Sequence, residues 1–157
     1  AKLPPERIAA AVAELSCRAG IYGMIGGQVV DLLGENSELG IDELFVMDKL
    51  KTAALIKASC VRGCIAADKY EYIAKAETFA ENLGLAFQII DDILDFLDGE
   101  DNSDIISGKS TYVSLLGLEE AKKLADDYTQ KAMQILDEIP ESSEVREFAV
   151  TLLNRKA

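Results

Sequence analysis

The chain has 157 residues, 49% of them hydrophobic, with 28 acidic side chains against 16 basic ones, no histidine and a net charge of −12. That length suits a single compact unit, or part of a larger one, and the apolar content argues against intrinsic disorder. The acidic balance argues against sequence-independent binding of nucleic acid, which needs a basic surface. The absence of histidine removes a Ser-His triad and His-ligated zinc, leaving acid–base work to Asp, Glu, Lys, Tyr or a bound metal.

Pro4 and Pro5 stand where a helix can begin, and Ile8, Ala11, Val12 and Leu15 give the first predicted helix one apolar face. Gly20 punctuates, a second helical run follows from about Ile21 to Leu33, and the polar turn Gly34-Glu35-Asn36-Ser37 closes it. A long helix is predicted from about Asp42 to Ala67 and another from about Glu71 to Leu97, followed by a Gly-, Ser- and Asp-rich loop from Asp98 to Ser110. Two more helices fill Leu118 to Ile139 and Glu144 to Asn154, separated by Pro140. With no period-2 strand and no repeat, the expected architecture is all-α, an antiparallel helical bundle with short connections. Cys60 and Cys64, spaced i,i+4, and the distant Cys17 read as reduced thiols of a cytoplasmic protein. Charged residues interrupt the N-terminal segment, and the longest uncharged stretch, about Ala19 to Val30, is too short and Gly-rich to span a membrane. A soluble protein is expected.

The most informative stretch is Gly84-Leu85-Ala86-Phe87-Gln88-Ile89-Ile90-Asp91-Asp92-Ile93-Leu94-Asp95. At about 100° per residue, Gln88, Asp91, Asp92 and Asp95 share one arc roughly 100° wide, with Leu83, Ala86, Ile90 and Ile93 on the opposite side. Carboxylates one turn apart repel each other unless something compensates. A hard divalent cation does so, and a carboxylate-rich, oxygen-only site suits Mg²⁺ carrying phosphate; an acidic solvated face is the plain alternative. Lys51-Thr52 lies mid-helix, where a lysine more often snorkels to solvent than does chemistry. Paired Gly26-Gly27 before Gln28 and Asp31 marks close helix packing or a ligand approach, and Gln28 and Asp31 share a face. Lys109 follows the acidic helix closely enough to reach a phosphate as a point charge.

Taken together, Gly23-Met24-Ile25-Gly26-Gly27-Gln28-Val29-Val30-Asp31-Leu32, Lys51-Thr52-Ala53-Ala54-Leu55-Ile56, the Gly84 to Asp95 block and Lys109-Ser110-Thr111-Tyr112 resemble, in order and spacing, the C-terminal half of a trans-isoprenyl diphosphate synthase. The farnesyl and geranylgeranyl diphosphate synthases are of this type. The resemblance covers nearly the whole chain and implies an isoprenoid synthase bundle, residues 1–157 being the C-terminal half of a polyprenyl synthetase domain. It implies a Mg²⁺-dependent prenyltransferase that joins an allylic diphosphate to isopentenyl diphosphate head to tail and releases pyrophosphate, and by default a cytoplasmic homodimer. By similarity, Asp91, Asp92 and Asp95 bind Mg²⁺, Lys51 and Lys109 hold the allylic diphosphate, Thr52 and Gln88 sit beside the developing cation, and Gln28 and Asp31 line the same pocket.

Two departures from the family pattern stand out. Its first aspartate-rich motif, which belongs to an N-terminal half, is absent, so the chain is expected to be incomplete and inactive alone. The segment Asp98-Gly99-Glu100-Asp101 also lacks the lysine that the family carries in a longer loop. A non-catalytic prenyltransferase-like subunit and a class I terpene cyclase relative remain as alternatives.

Overall fold

The computed structural model describes residues 2–34, 39–99 and 110–154. Helix α1 (Pro5–Ala19) starts on proline, whose missing N–H would lack a partner there anyway, and leads through a turn at Gly20 into α2 (Met24–Gly34). Helix α3 (Ile41–Asp48) begins where the Gly40 N–H donates to Glu43 Oε2 at 2.8 Å. It continues through a π-helical turn, Lys49–Ala53, into α4 (Ala54–Ala67), which stops at Asp68 in the left-handed region. A short 3₁₀ turn at Tyr70–Tyr72 opens α5 (Ile73–Asp98), the longest helix, capped by Gly99 at φ 71°. Helix α6 (Tyr112–Leu116) is N-capped by Thr111, whose Oγ1 accepts from the Ser114 N–H at 3.0 Å. Helices α7 (Leu118–Asp137) and α8 (Ser143–Leu153) complete the order.

No strand occurs among the described residues, and the fold is all-α as expected. The rod over 41–67, read from the sequence as one helix, carries the π turn, and the five-residue α6 went unread because it is too short to show a period.

Helix α5 runs through the middle. One end of it packs Phe79, Leu83 and Ala86 against Ala132 and Leu136 of α7 and Ala149 of α8. The other end packs Ile89 and Ile93 against Leu44 and Met47 of α3, Tyr112 of α6 and Ala125 of α7. Two glycines bring backbones into contact. A Cβ on Gly84 would lie 2.6 Å from Ala53 Cβ, and one on Gly27 would lie 2.4 Å from the Lys51 nitrogen. Both contacts converge on the π turn.

The apolar face of α1 does not face this core. Ile8, Val12 and Leu15 are exposed. The side turned toward the bundle carries small and charged residues instead, with Arg7 paired to Asp68 at 2.6 Å and Arg18 paired to Glu14 and Glu77. Helix α2 behaves likewise, burying Gly27 and Asp31 while Ile25, Val29 and Leu33 are exposed. Composition and length alone would let Pro5–Gly34 cross a membrane, but a turn at Gly20–Gly23 breaks it into two helices.

Candidate functional site

Close packing at Gly84 and Ala53 seats α5 against the π turn, so the next turns of α5 bring Gln88, Asp91 and Asp92 past Lys51 and Thr52. A π turn inserts one extra residue into a helix and re-aims the side chains around it. Here it leaves Thr52 facing α5 and Lys51 facing both α2 and the acidic residues. The Thr52 hydroxyl donates to Gln88 Oε1 at 3.1 Å, and Gln88 Nε2 donates to Asp92 Oδ1 at 3.4 Å. The Tyr112 backbone N–H donates to Asp92 Oδ2 at 2.8 Å. Lys51 Nζ meets Asp31 Oδ2 at 2.5 Å, and the Asp31 side chain is almost fully buried behind it.

Lys51, Gln88 and Asp92 line a cavity of about 360 Å³ whose walls also include Asp48, Asp91 and Asp95. Beside it runs an apolar trench of about 460 Å³ that begins at Thr52 and is lined by Ile56, Leu83, Phe87, Phe148 and Leu152. Thr52 borders the trench and bonds to a residue of the acidic cavity, so it stands at their junction.

Burial pushes the Asp92 carboxyl up to about 6; hydrogen bonds from Tyr112 and Gln88 oppose the rise, and the neighbouring Asp91 and Asp95 add to it. Burial likewise raises Asp48 to about 7, with Tyr112 and Lys51 opposing and the charges of Asp92 and Asp31 reinforcing. The donor set is oxygen only, held against its own repulsion, and it fits a hard divalent cation. Asp91 and Asp92 are half-buried, and Asp95 is exposed at the rim.

Of the residues expected from the sequence, the structure brings Lys51, Thr52, Gln88, Asp91, Asp92 and Asp95 to this cavity and its junction with the trench. Asp31 touches the site through Lys51, and Gln28 is exposed on α2, off the cavity wall. Lys109 lies outside the described residues. Two residues were missed, Asp48 and Tyr112. A signal existed for Asp48, a charge standing directly after the apolar run Leu44-Phe45-Val46-Met47. Tyr112 stood in the matched block Lys109-Ser110-Thr111-Tyr112 without a role, because its contact with Asp92 is made by a backbone N–H, which residue type does not reveal.

The family model for polyprenyl synthetases matches residues 9–152. The chain is 41% identical over 140 residues to a farnesyl diphosphate synthase of Escherichia coli, covering 84% of this chain and 47% of that protein. It is 36% identical over 142 residues to a chloroplastic geranylgeranyl pyrophosphate synthase of Arabidopsis thaliana, covering 84% of this chain and 39% of that protein. Among solved structures, a geranyltransferase of Helicobacter pylori, complexed with magnesium and isoprenyl diphosphate, superposes with a TM-score of 0.82 at 34% identity, covering 97% of this chain and 52% of that one. The chain spans about half the length, or less, of the curated relatives it matches.

Proposed function

The chain belongs to the polyprenyl synthetase family, and from that premise we propose that residues 1–157 supply the C-terminal half of a trans-prenyltransferase domain. Its reaction joins an allylic diphosphate to isopentenyl diphosphate. The allylic C–O bond breaks, the isopentenyl double bond forms the new C–C bond, and a proton leaves with pyrophosphate. The observation that carries this reading is the hydrogen-bonded line Thr52–Gln88–Asp92, which joins an acidic oxygen-lined cavity to an apolar trench. An amphiphilic substrate with a charged head and a hydrocarbon tail needs both compartments at one junction.

Asp91, Asp92 and Asp95 would hold Mg²⁺, as the magnesium and isoprenyl diphosphate bound to the Helicobacter relative support. When bound, the ion supplies positive charge to the leaving diphosphate. The remaining work falls to the chain's own groups. Lys51 exchanges its Asp31 partner for a phosphate oxygen. Thr52 and Gln88 turn their oxygens toward the carbon that becomes positive, and fixed dipoles aimed there need no reorganisation as the charge develops. The trench excludes water that would otherwise quench the cation. Gln28 on α2, and Lys109, would complete the substrate contacts. The protein would act in the cytoplasm, as a homodimer by analogy with its family.

The test combines the chain with isopentenyl and geranyl diphosphates and Mg²⁺, with and without a co-expressed preceding half of a family member. Binding of Mg²⁺–pyrophosphate is measured by calorimetry on the chain itself. We expect metal-dependent pyrophosphate binding that Asp92→Ala removes, and prenyl transfer that falls by several orders of magnitude in the same variant. Pyrophosphate binding indifferent to both Mg²⁺ and Asp92 overturns the proposal.

A further inference from the structure

Asp48 and Tyr112 belong to elements distant in sequence, yet they meet in the core directly beneath the acidic cavity. Asp48 is 2% exposed and Tyr112 is fully buried. Asp48 Oδ2 and the Tyr112 hydroxyl are both buried without a hydrogen-bond partner among the described residues, and the two groups are close enough to act on each other electrostatically. The Phe45 ring packs on the phenol, with centroids 5.3 Å apart. The phenol is thus packed by a ring and leaves its hydroxyl and the Asp48 carboxyl as two unsatisfied neighbours, a donor and an acceptor.

Tyr112 is the first residue of α6, and its N–H holds Asp92 Oδ2 while the other oxygen, Oδ1, lies next to Gln88. We propose that Asp48 and Tyr112 are positioning residues for Asp92. The buried phenol, anchored on Asp48, fixes the head of α6 so that the Tyr112 N–H orients the Asp92 carboxylate toward the cavity. This inference rests on the reading of Asp92 as a ligand of a divalent cation. Its physical logic is general: a carboxylate free to rotate must be ordered when the ion arrives, whereas one already held by a donor that cannot move binds in its ready orientation. Anchorage matters here because α6 has only five residues and cannot hold its own first turn rigidly.

The experiment uses the whole chain with Mn²⁺ as a paramagnetic probe, titrated at saturating pyrophosphate, with free Mn²⁺ read by electron paramagnetic resonance. Tyr112→Phe and Asp48→Ala should each weaken apparent Mn²⁺ affinity by about tenfold, the usual scale for losing a group that orients a ligand. Asp48→Asn keeps a hydrogen-bond acceptor of the same shape and should lose markedly less affinity than Asp48→Ala, the missing charge in the cavity wall being common to both. Faster solvent exchange of the Tyr112 amide in the two weakened variants, at unchanged helicity, would mark the loss as one of orientation. Should Tyr112→Phe fail to fold, the Asp48 pair decides. Equal affinity in all variants, or equal loss in Asp48→Asn and Asp48→Ala, overturns the positioning role and leaves Asp92 as a ligand. No Mn²⁺–pyrophosphate binding by the wild-type chain overturns both readings.

Discussion

Asp48 and Asp92 are costly residues for the fold as it stands, and the cost depends on pH. Their carboxyls rise from 3.8 to about 7 and about 6 in the folded chain. Between about pH 4 and pH 7 the folded state therefore holds protons that the unfolded state has released, so their stabilising contribution is complete below pH 4 and disappears as pH rises through 6 to 7. Glu81, paired to Lys49 and Lys57 at 2.9 and 2.8 Å, has the opposite sign: its carboxyl is lowered, and its contribution is lost on acidification. The melting temperature should consequently fall between pH 5 and pH 8. Asp48→Asn should flatten that slope and raise stability at pH 8 while changing little at pH 5. A calorimetric series in which wild type melts higher at pH 8 than at pH 5 would contradict the assignment. At this scale the sequence showed whatever periodicity could show. Gln88, Asp91 and Asp92 lie on one arc of one helix, and they do meet at one cavity. Asp48 escaped because its significance arises from a neighbour more than sixty residues away.

Among elements, the π turn and the glycines beneath it decide whether the site exists. Gly84 lets α5 approach to where a Cβ would sit 2.6 Å from Ala53 Cβ, a contact that cannot be relieved by rotating a side chain. Gly84→Ala should cost about 1–3 kcal/mol, the range for overpacking a tight interface, despite the higher helix propensity of alanine. Gly63, with nothing near its absent Cβ, is the control: Gly63→Ala should be neutral or stabilising in the same denaturant titration. The helices themselves were legible, since runs of 11 to 26 residues carry enough period to be recognised. The π turn was not, because inserting one residue changes no composition and only shifts a phase. The direction of α1 was not legible either. Its apolar face points outward, and alanines and paired arginines do the inward packing, a choice made by tertiary contacts with α4 and α5.

Across the whole molecule, Ile8, Val12 and Leu15 of α1 with Ile25, Val29 and Leu33 of α2 leave apolar surface of the kind that drives association. A net charge of −12 opposes that association at low ionic strength. Sedimentation of the chain should therefore show self-association that strengthens with protein concentration and with added salt, since screening removes repulsion while leaving the apolar attraction intact. Ile25→Lys combined with Val29→Lys should shift the population toward monomer without loss of helicity; unchanged sedimentation would exclude this face. The π turn has a consequence at this scale too. It makes the rod from Ile41 to Ala67 a device whose phase is counted in whole residues. Removing one residue from Lys49–Ala53 would restore an unbroken α-helix and leave α3 and α4 near their present phase, because the π turn holds one residue more than an α turn. The groups inside the turn would be re-aimed, taking Lys51 from Asp31 and Thr52 from Gln88. Substitutions in this stretch can be absorbed one side chain at a time, but a change in its length by a single residue would take the site apart while leaving every helix intact.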